Sequence, residues 1–544
     1  MASVRNALEM VSDTVGAIRV LHKSGAINLT NPGEAVKAVK RSKTIGPASA
    51  VIVHGAEEYP DAPAITDERG TVTFGELDRQ SNALANTLLA SGVAPGSVVG
   101  VLARDHRGLI LALSAAGRAG YRLAMMNTGF GKTQFVEVAE REKVRAMLYD
   151  EEFIDLLEGL PDMPRVLTWV DGDRPVPEGV RTLDEVIETG DTGMPPEPET
   201  FGGFVILTSG TTGLPKGAQR SKMSPFTSAL LLDRVPLPQH GSMVIVSPIF
   251  HSTGFAVWGV GTALGNQTVV LRRFDAEKTL TALAEHRAEV LVAVPTMLHR
   301  ILALGPEVIG KYDVSALKII VIAGSALSPA LSERVQDTFG DVLYNMYGST
   351  EVAIASIAQP HELRQAPGTV GRPPVSSRLA LFDGEGNRIT GKNVSGRLFV
   401  RNGAPFEGYT DGRNKEVIDG YMSSGDMARV DDSGLWFIEG RDDDMIVSGG
   451  ENVYPLEVEN LLAAHPEVAD VAVVGVDDEE FGHRLRAFIV RQPDTDPQPD
   501  DLKQHVKSNL ARYKVPRDVV FVEELPRNPT GKLVRRKLPT GPLD

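Results

Sequence analysis

The sequence predicts an α/β protein in which a large N-terminal domain with largely parallel sheets is followed by a small C-terminal α+β domain. Three observations carry this expectation. Between about Val98 and Tyr344, short apolar runs alternate with longer mixed segments. The runs are near-continuous in Val, Ile and Leu, the mark of strands buried on both faces. The chain has 544 residues, beyond the size at which one hydrophobic core stops growing, so at least two domains are expected.

The runs are Val98–Leu102, Phe204–Leu207, Met243–Val246, Val290–Val294 and Ile319–Ile322. Segments between them, such as Phe274–Arg287, carry helical spacing, which completes the alternation of strand and helix. In such sheets ligands gather beyond the carboxyl ends of the strands. The residues found there are Thr208-Ser-Gly-Thr-Thr-Gly, Pro248-Ile-Phe-His251 and Ala323-Gly-Ser-Ala, and a further strand, Val342–Met346, leads into Tyr347-Gly-Ser-Thr-Glu351. A turn-rich region follows Asp383, and glycines and acids cluster at Gly440–Gly450. A fresh pattern then runs through Leu456–Ala464, Val468–Val476 and Arg486–Val490 to about Leu538. The expected division is 1–440, a junction at 441–444, and 445–544, the last being long enough for a small domain.

Composition narrows the function classes. The chain is 42% hydrophobic and 23% charged, ordinary for a soluble globular enzyme, and its formal net charge of -15 argues against nonspecific nucleic-acid binding. It has no cysteine, which excludes disulfides, thiolate metal sites and a cysteine nucleophile. Glu9, Asp13 and Arg19 interrupt the apolar stretch a secretory signal would need, and no run is long enough to span a bilayer. A cytoplasmic location fits these features. Leu8, Val11, Val15 and Ile18 recur at helical spacing, and Lys37, Lys40, Arg41 and Lys43 follow. A helix docked on its own domain is the expected reading, with weak peripheral membrane contact as the alternative.

The densest chemistry lies in Thr208-Ser209-Gly210-Thr211-Thr212-Gly213-Leu214-Pro215-Lys216-Gly217. Glycines let backbone N–H groups approach a phosphate, hydroxyls add donors, and Lys216 adds a point charge. The Walker A pattern needs Ser or Thr after its lysine, whereas Gly217 stands here. The stretch resembles, over all ten positions, the phosphate loop of the adenylate-forming superfamily of acyl-CoA synthetases, luciferases and peptide-synthetase adenylation domains. Further motifs extend the resemblance from about Thr73-Phe-Gly-Glu-Leu to Lys532.

That resemblance implies roles for residues. Tyr347-Gly348-Ser349-Thr350-Glu351 resembles the second core motif: Tyr347 would stack on adenine, Thr350 would reach the AMP phosphate, and Glu351, helped by Thr212, would hold Mg²⁺. Gly324, Ser325, Ala326 and Asn345 would line the adenine pocket. Ser424-Gly425-Asp426 resembles the ribose motif, a carboxylate being suited to a vicinal diol, with Arg441 assisting. Gly440-Arg441-Asp442-Asp443-Asp444 resembles the hinge, with Asp443 as pivot of a mobile C-terminal domain. Ser448-Gly449-Gly450 resembles the loop beside the CoA pantetheine tunnel. Pro526-Arg527-Asn528-Pro529-Thr530-Gly531-Lys532 resembles the catalytic loop, with Lys532 reaching the carboxylate and the α-phosphate. His251 would gate the acyl pocket.

The implied activity is ATP-dependent activation of a carboxylic acid as acyl-AMP, then transfer to CoA, with ATP, Mg²⁺ and CoA as cofactors and a small-molecule acid as partner. Ser252 follows His251 where amino-acid adenylation domains have an aspartate, and no carrier-domain pattern follows Leu538. Both favour a free-standing CoA ligase. Phe255, Val257 and Trp258 favour a fatty or otherwise apolar acid; aryl acids, a carrier-protein acceptor, luciferase-like oxidation and a non-catalytic nucleotide sensor are the alternatives. Two segments depart from the family pattern: Tyr121-Arg-Leu-Ala-Met-Met-Asn127 lacks the usual proline, and Gly396-Arg397-Leu398 replaces Gly-Glu-Leu. Neither is expected to touch the chemistry.

Overall fold

The computed structural model describes residues 2–28, 32–199, 201–208, 216–220, 227–404, 406–448, 451–478, 482–528 and 531–541. The expected apolar runs form strands of two large sheets. An eight-stranded sheet runs in the order Ala353–Ala358, Leu343–Ser349, Ile319–Ile322, Val290–Ala293, Ser242–Ile245, Gln267–Val270, Pro63–Asp67, Gly70–Thr73. Its interior pairs are parallel and only its two edge pairs are antiparallel. From Ser242–Ile245 the chain moves to one neighbour, Gln267–Val270, and then crosses back to Val290–Ala293 on the other side. That reversal is the topological switch point at which α/β sheets open a ligand crevice, and Ser247–His251 follows it directly.

A seven-stranded sheet runs in the order Arg181–Thr182, Arg165–Trp169, Val144–Asp150, Val98–Leu102, Arg122–Met125, Phe204–Thr208, Lys216–Arg220, parallel except for its last pair. The helix Arg107–Arg118 packs against strands of both sheets. Its residues Leu109–Ala116 are essentially inaccessible, as expected of a helix apolar all round. Tyr121, in one of the departing segments, is fully buried and donates its hydroxyl to the carbonyl of Val93 at 2.7 Å.

A third, antiparallel sheet is built around Gly396–Arg401, Tyr421–Val430 and Trp436–Arg441. A fourth holds the long antiparallel pair Val468–Asp478 and Gly482–Arg491, with Pro455–Ala463 packed against it. The single turn Asp442–Asp444 joins the third sheet to Ile446–Ser448 of the fourth. The fold is thus the α/β architecture with a smaller C-terminal domain that the sequence predicts.

Two expectations need refinement. The strand expected to stop at Met346 continues through Ser349, because Tyr347, Gly348 and Ser349 pair with Ser356, Ile354 and Ala353 across a bulge. Gly348 is required there: a Cβ would lie 1.9 Å from the carbonyl oxygen of Ala353. In the first helix, Ala2–Lys23, Ala17 and Leu21 are buried, and Arg378 binds the carboxylate of Asp13 at 2.6 and 2.8 Å. The helix docks on its own domain as expected, but not by the stripe Leu8, Val11, Val15 and Ile18: Val11 and Val15 point to solvent, and the Leu8 side chain lies outside the described residues. Among the described residues no helix is long and apolar enough to cross a membrane.

Candidate functional site

The carboxyl ends of both large sheets open onto one cavity of about 2520 Å³. Its wall brings together Lys216, His251, Gly324, Ser325, Ala326, Asn345, Tyr347, Gly348, Ser349, Thr350, Glu351, Asp426, Arg441, Asp443 and Lys532. Ser209, Gly210, Thr211, Thr212, Gly213, Gly449 and Gly450 lie outside the described residues. The two ends of the phosphate-loop segment, Thr208 and Lys216, are register partners in an antiparallel pair.

Glu351 is placed by hydroxyls. Tyr409 donates to Oε1 at 2.6 Å and Ser349 to Oε2 at 2.8 Å. Burial works to raise the pKa of this carboxyl, but the two hydroxyls, with the Glu351 N–H and the charge of Lys415, together hold the group below its ordinary value. The Tyr409 hydroxyl is itself pushed up by burial and by Glu351, so it remains a donor. The ammonium of Lys216 lies 5.1 Å from the Tyr409 ring centroid. Tyr409 therefore joins the end of the phosphate-loop segment to the carboxylate, and sequence reasoning missed it. Each Glu351 oxygen keeps a lone pair for a hard cation. Among the described residues no three His, Asp or Glu converge as a metal cage. One ionised carboxylate beside a phosphate-binding segment fits Mg²⁺, which keeps waters and substrate oxygens in its shell.

Asp426 is held by Tyr347, whose hydroxyl donates to Oδ2, and by Arg441, which donates to Oδ1 at 3.1 Å. The Ser424 hydroxyl accepts from the backbone N–H of Asp426 at 3.1 Å and donates to the carbonyl of Leu398 at 3.0 Å, which fixes the turn. Gly425 at φ 83° lets the Arg441 guanidinium close over that turn. Arg441 also donates to Asp443 at 3.1 Å. The other two acids of the turn have partners too: Arg397 donates to Asp442 at 3.2 Å and Arg535 to Asp444 at 3.3 Å. Arg397 was expected to stand apart from the chemistry. It binds the turn that joins the third and fourth sheets, which leaves that expectation standing; the contact is invisible in sequence because the two residues are far apart along the chain. Asn345 is buried and donates to the carbonyl of Thr369 at 3.3 Å. Gly324 adopts φ 92° just beyond Ile319–Ile322.

His251 precedes the helix Ser252–Ala263. Its Nε2 is buried without a hydrogen-bond partner among the described residues, and burial pushes the imidazole down to about 3. The ring is therefore neutral at pH 7, 4.3 Å from the Phe250 ring. The loop leading to it is tethered by Asp105, whose Oδ1 accepts the Ile249 N–H at 2.9 Å. Phe255 and Trp258 also line the cavity, whereas Val257 is fully buried and faces away from it.

Lys532 is exposed at the end of a loop closed by its own backbone. The Lys532 N–H donates to Asn528 Oδ1 at 2.9 Å and the Gly531 N–H to the Asn528 carbonyl at 2.8 Å. Arg527 pins the loop to Asp470 at 2.8 Å. Gly531, at φ 74°, lies so close to the large domain that a Cβ would come within 2.3 Å of Thr296 Oγ1. The C-terminal loop thus rests on the N-terminus of Pro295–Leu302 and presents Lys532 to the cavity.

Two open α/β sheets with a smaller domain laid across their carboxyl ends define a nucleotide-using enzyme whose site lies between domains. The chain belongs to the AMP-binding enzyme family, whose model matches residues 52–410, while that of the AMP-binding enzyme C-terminal domain matches residues 457–532. Membership makes it an ATP-dependent acid ligase that works through an acyl-adenylate; ATP, Mg²⁺ and CoA are the cofactors of this class. It is 31% identical to the fatty acid–acyl-carrier-protein ligase ScoC of Streptomyces coeruleorubidus, over 89% of this chain and 94% of that one. It is 28% identical to a 2-succinylbenzoate–CoA ligase of Bacillus licheniformis, over 89% and 98%. The crystal structure of the anthranilate CoA ligase AuaEII with anthranoyl-AMP superposes with a TM-score of 0.80 at 25% identity, covering 90% of this chain and 96% of that one.

Proposed function

We propose that the chain activates a fatty or otherwise apolar acid as acyl-AMP and passes the acyl group to the thiol of CoA, in the manner of a fatty acyl-CoA synthetase. The observation that supports this most is one cavity shared by Lys532 on its pinned loop, the ionised Glu351, and an apolar branch past a neutral His251 that includes Phe255 and Trp258.

In the first step a carboxylate oxygen attacks the α-phosphorus of ATP, the bond from that phosphorus to the bridging oxygen breaks, and pyrophosphate leaves. Lys532 meets the charge shared between carboxylate and α-phosphate, which favours the transition state by electrostatics alone. Asp426 accepts from the ribose hydroxyls with the lone pairs that Tyr347 and Arg441 leave it. The Tyr347 ring and the segment Gly324, Ser325, Ala326 flank the base, with Asn345 behind them, and Thr350 reaches the phosphate. Glu351 and Thr212 would hold Mg²⁺, which when bound would neutralise phosphate charge. A neutral His251 lets an apolar chain pass without burying a charge beside it. In the second step the thiolate sulfur attacks the acyl carbon, the bond to the AMP oxygen breaks, and the thiol proton goes to solvent. Residues 1–440 and 445–544 act as the two moving domains about Asp443, which withdraws Lys532 and brings Gly449 and Gly450 to the thiol.

A second reading, transfer to a carrier-protein thiol, is favoured by the likeness to the Streptomyces fatty acid–acyl-carrier-protein ligase. Aryl acids are the competing substrates, as in the Bacillus relative. The test is a pyrophosphate-release screen over fatty, aryl and amino acids, with and without CoA. Turnover of fatty acids that is completed by CoA supports the proposal; turnover of aryl or amino acids alone overturns the acid, and release unaffected by CoA overturns the acceptor.

A further inference from the structure

The cavity does not end at His251. It continues along the helix Ser252–Ala263, of which Ser252, Phe255, Ala256, Gly259, Val260 and Ala263 line it. Thr253 and Trp258 line it too, so a broad side of this helix fronts the cavity. On that side Gly259 stands apart from the other glycines of the helix. Gly254 and Gly261 are tight packing contacts, where a Cβ would meet the Ser247 carbonyl oxygen at 2.7 Å and Met243 Cε at 2.1 Å. A Cβ on Gly259 would meet no atom of the described residues within 4 Å. Glycine inside a helix costs roughly 1 kcal/mol against alanine, and here no close packing requires it.

The same cavity is lined by residues from the first three helices: Ile18 and Leu21 of Ala2–Lys23, Val39 of Pro32–Thr44, and Ala48 and Val51 of Gly46–Glu58, the last of which packs beside Ser252–Ala263. The second and third of these helices are fastened together by Glu57, which accepts from Arg41 at 2.6 and 3.0 Å and from Lys37 at 3.1 Å. The first two helices precede residue 52, where the match to the family begins. They lie outside the span matched by the family model, and residues of both line the same cavity.

We propose that the missing side chain at Gly259 opens an extended acid chamber whose wall includes the N-terminal helical segment, and that this pair of features sets the longest acyl tail the enzyme accepts. The proposal rests on the assignment of this branch to the acid, and it specifies a long apolar tail lying against Gly259 and Val51, which line one cavity.

The experiment compares wild type, Gly259→Leu and Val51→Phe in pyrophosphate release over straight-chain acids of rising length and aryl acids of rising width. Gly259→Leu should leave the shortest acids within about twofold in kcat/KM and lower the longest by ~10-fold or more, since filling a formed cavity excludes its occupant. Val51→Phe should spare short acids and affect only the long ones. The KM for ATP should be unchanged in both, and a thermal melt confirms folding. Equal loss across all sizes with normal ATP KM and melting, or no size dependence in either variant, overturns the chamber. If wild type turns over only aryl acids, the fatty-acid reading fails; a size-graded loss among those acids would still uphold the chamber.

Discussion

Lys532 projects from a loop held by Asn528, by the Arg527–Asp470 pair and by the contact of Gly531 with Thr296. On the proposed mechanism, Lys532→Ala removes a donor needed only while phosphoanhydride chemistry proceeds. Pyrophosphate release should fall by about 10²–10³, the usual cost of one preorganised electrostatic contact. Thioester formation from supplied acyl-adenylate and CoA should persist; a parallel fall in both steps would remove the lysine from a dedicated first-step role. Tyr409 supports a second residue-scale prediction. Its hydroxyl helps keep the Glu351 carboxyl ionised. Tyr409→Phe should therefore raise the Mg²⁺ concentration needed for half-maximal pyrophosphate release by ~10-fold, the scale of one hydrogen bond to a charged group. An unchanged Mg²⁺ titration would refute it. Glu351 and Lys532 could be singled out in sequence because each sits inside a dense motif, and the structure brings both to one cavity. Tyr409 could not: its partner is 58 residues away, and nothing in the spacing around it marks a ligand-holding tyrosine.

At the scale of elements, the turn Asp442–Asp444 is held in three directions, with Arg397 from the third sheet, Arg441 at its start and Arg535 from the C-terminal domain. The glycine and acid cluster announces a junction, but the sequence cannot supply the long-range cations that hold it. Arg397→Glu would turn one tether into repulsion against Asp442 and Glu416. The pair is solvent-accessible, so the effect should be modest: a ~2–5-fold change in the ratio of the two half-reaction rates. An unchanged ratio would mean that the tether has no part in domain rotation. Asp443→Pro should act more strongly by fixing φ at the pivot, so that one half-reaction fails far more than the other. Asp443→Asn, which removes charge but leaves φ free, separates this from loss of the Arg441 contact. Equal loss of both half-reactions in a folded Asp443→Pro protein would refute the hinge role. The strand Leu343–Ser349 gives the same lesson about elements. Its apolar run was readable, but its extension through the motif depends on pairing with Ala353–Ala358, which the period of the run cannot reveal.

Across the whole molecule a buried hydrogen bond links the two large sheets, from Ile249 N–H beyond the first sheet to Asp105 beyond the second. Both sheets were legible as apolar runs, but this link was not, since a lone aspartate after a strand usually faces water. Burial pushes the Asp105 carboxyl up to about 7, Asp150 adding to the rise while Ile249 N–H and Arg104 oppose it. An unfolded aspartate titrates near ~3.9. Between those values the fold holds a proton that the unfolded chain has released. Stability from this group is therefore full below ~4 and is lost as pH rises toward 7. His251 acts with the opposite sign. Its buried ring titrates at about 3, against ~6.5 unfolded, so its contribution is full above ~6.5 and is lost as pH falls toward 3. From pH ~4 to ~6.5 the two slopes oppose each other, each at most ~1.4 kcal/mol per pH unit. Asp105→Asn keeps an acceptor for Ile249 and removes one slope. The stability of the variant should thus rise relative to wild type by up to ~1.4 kcal/mol for each unit from pH 4.5 to 6.5. Urea unfolding at several pH values in this window measures it directly. Parallel stability curves for the two proteins would mean that Asp105 titrates in the fold as it does in the unfolded chain, and that its burial between the sheets carries no protonation cost.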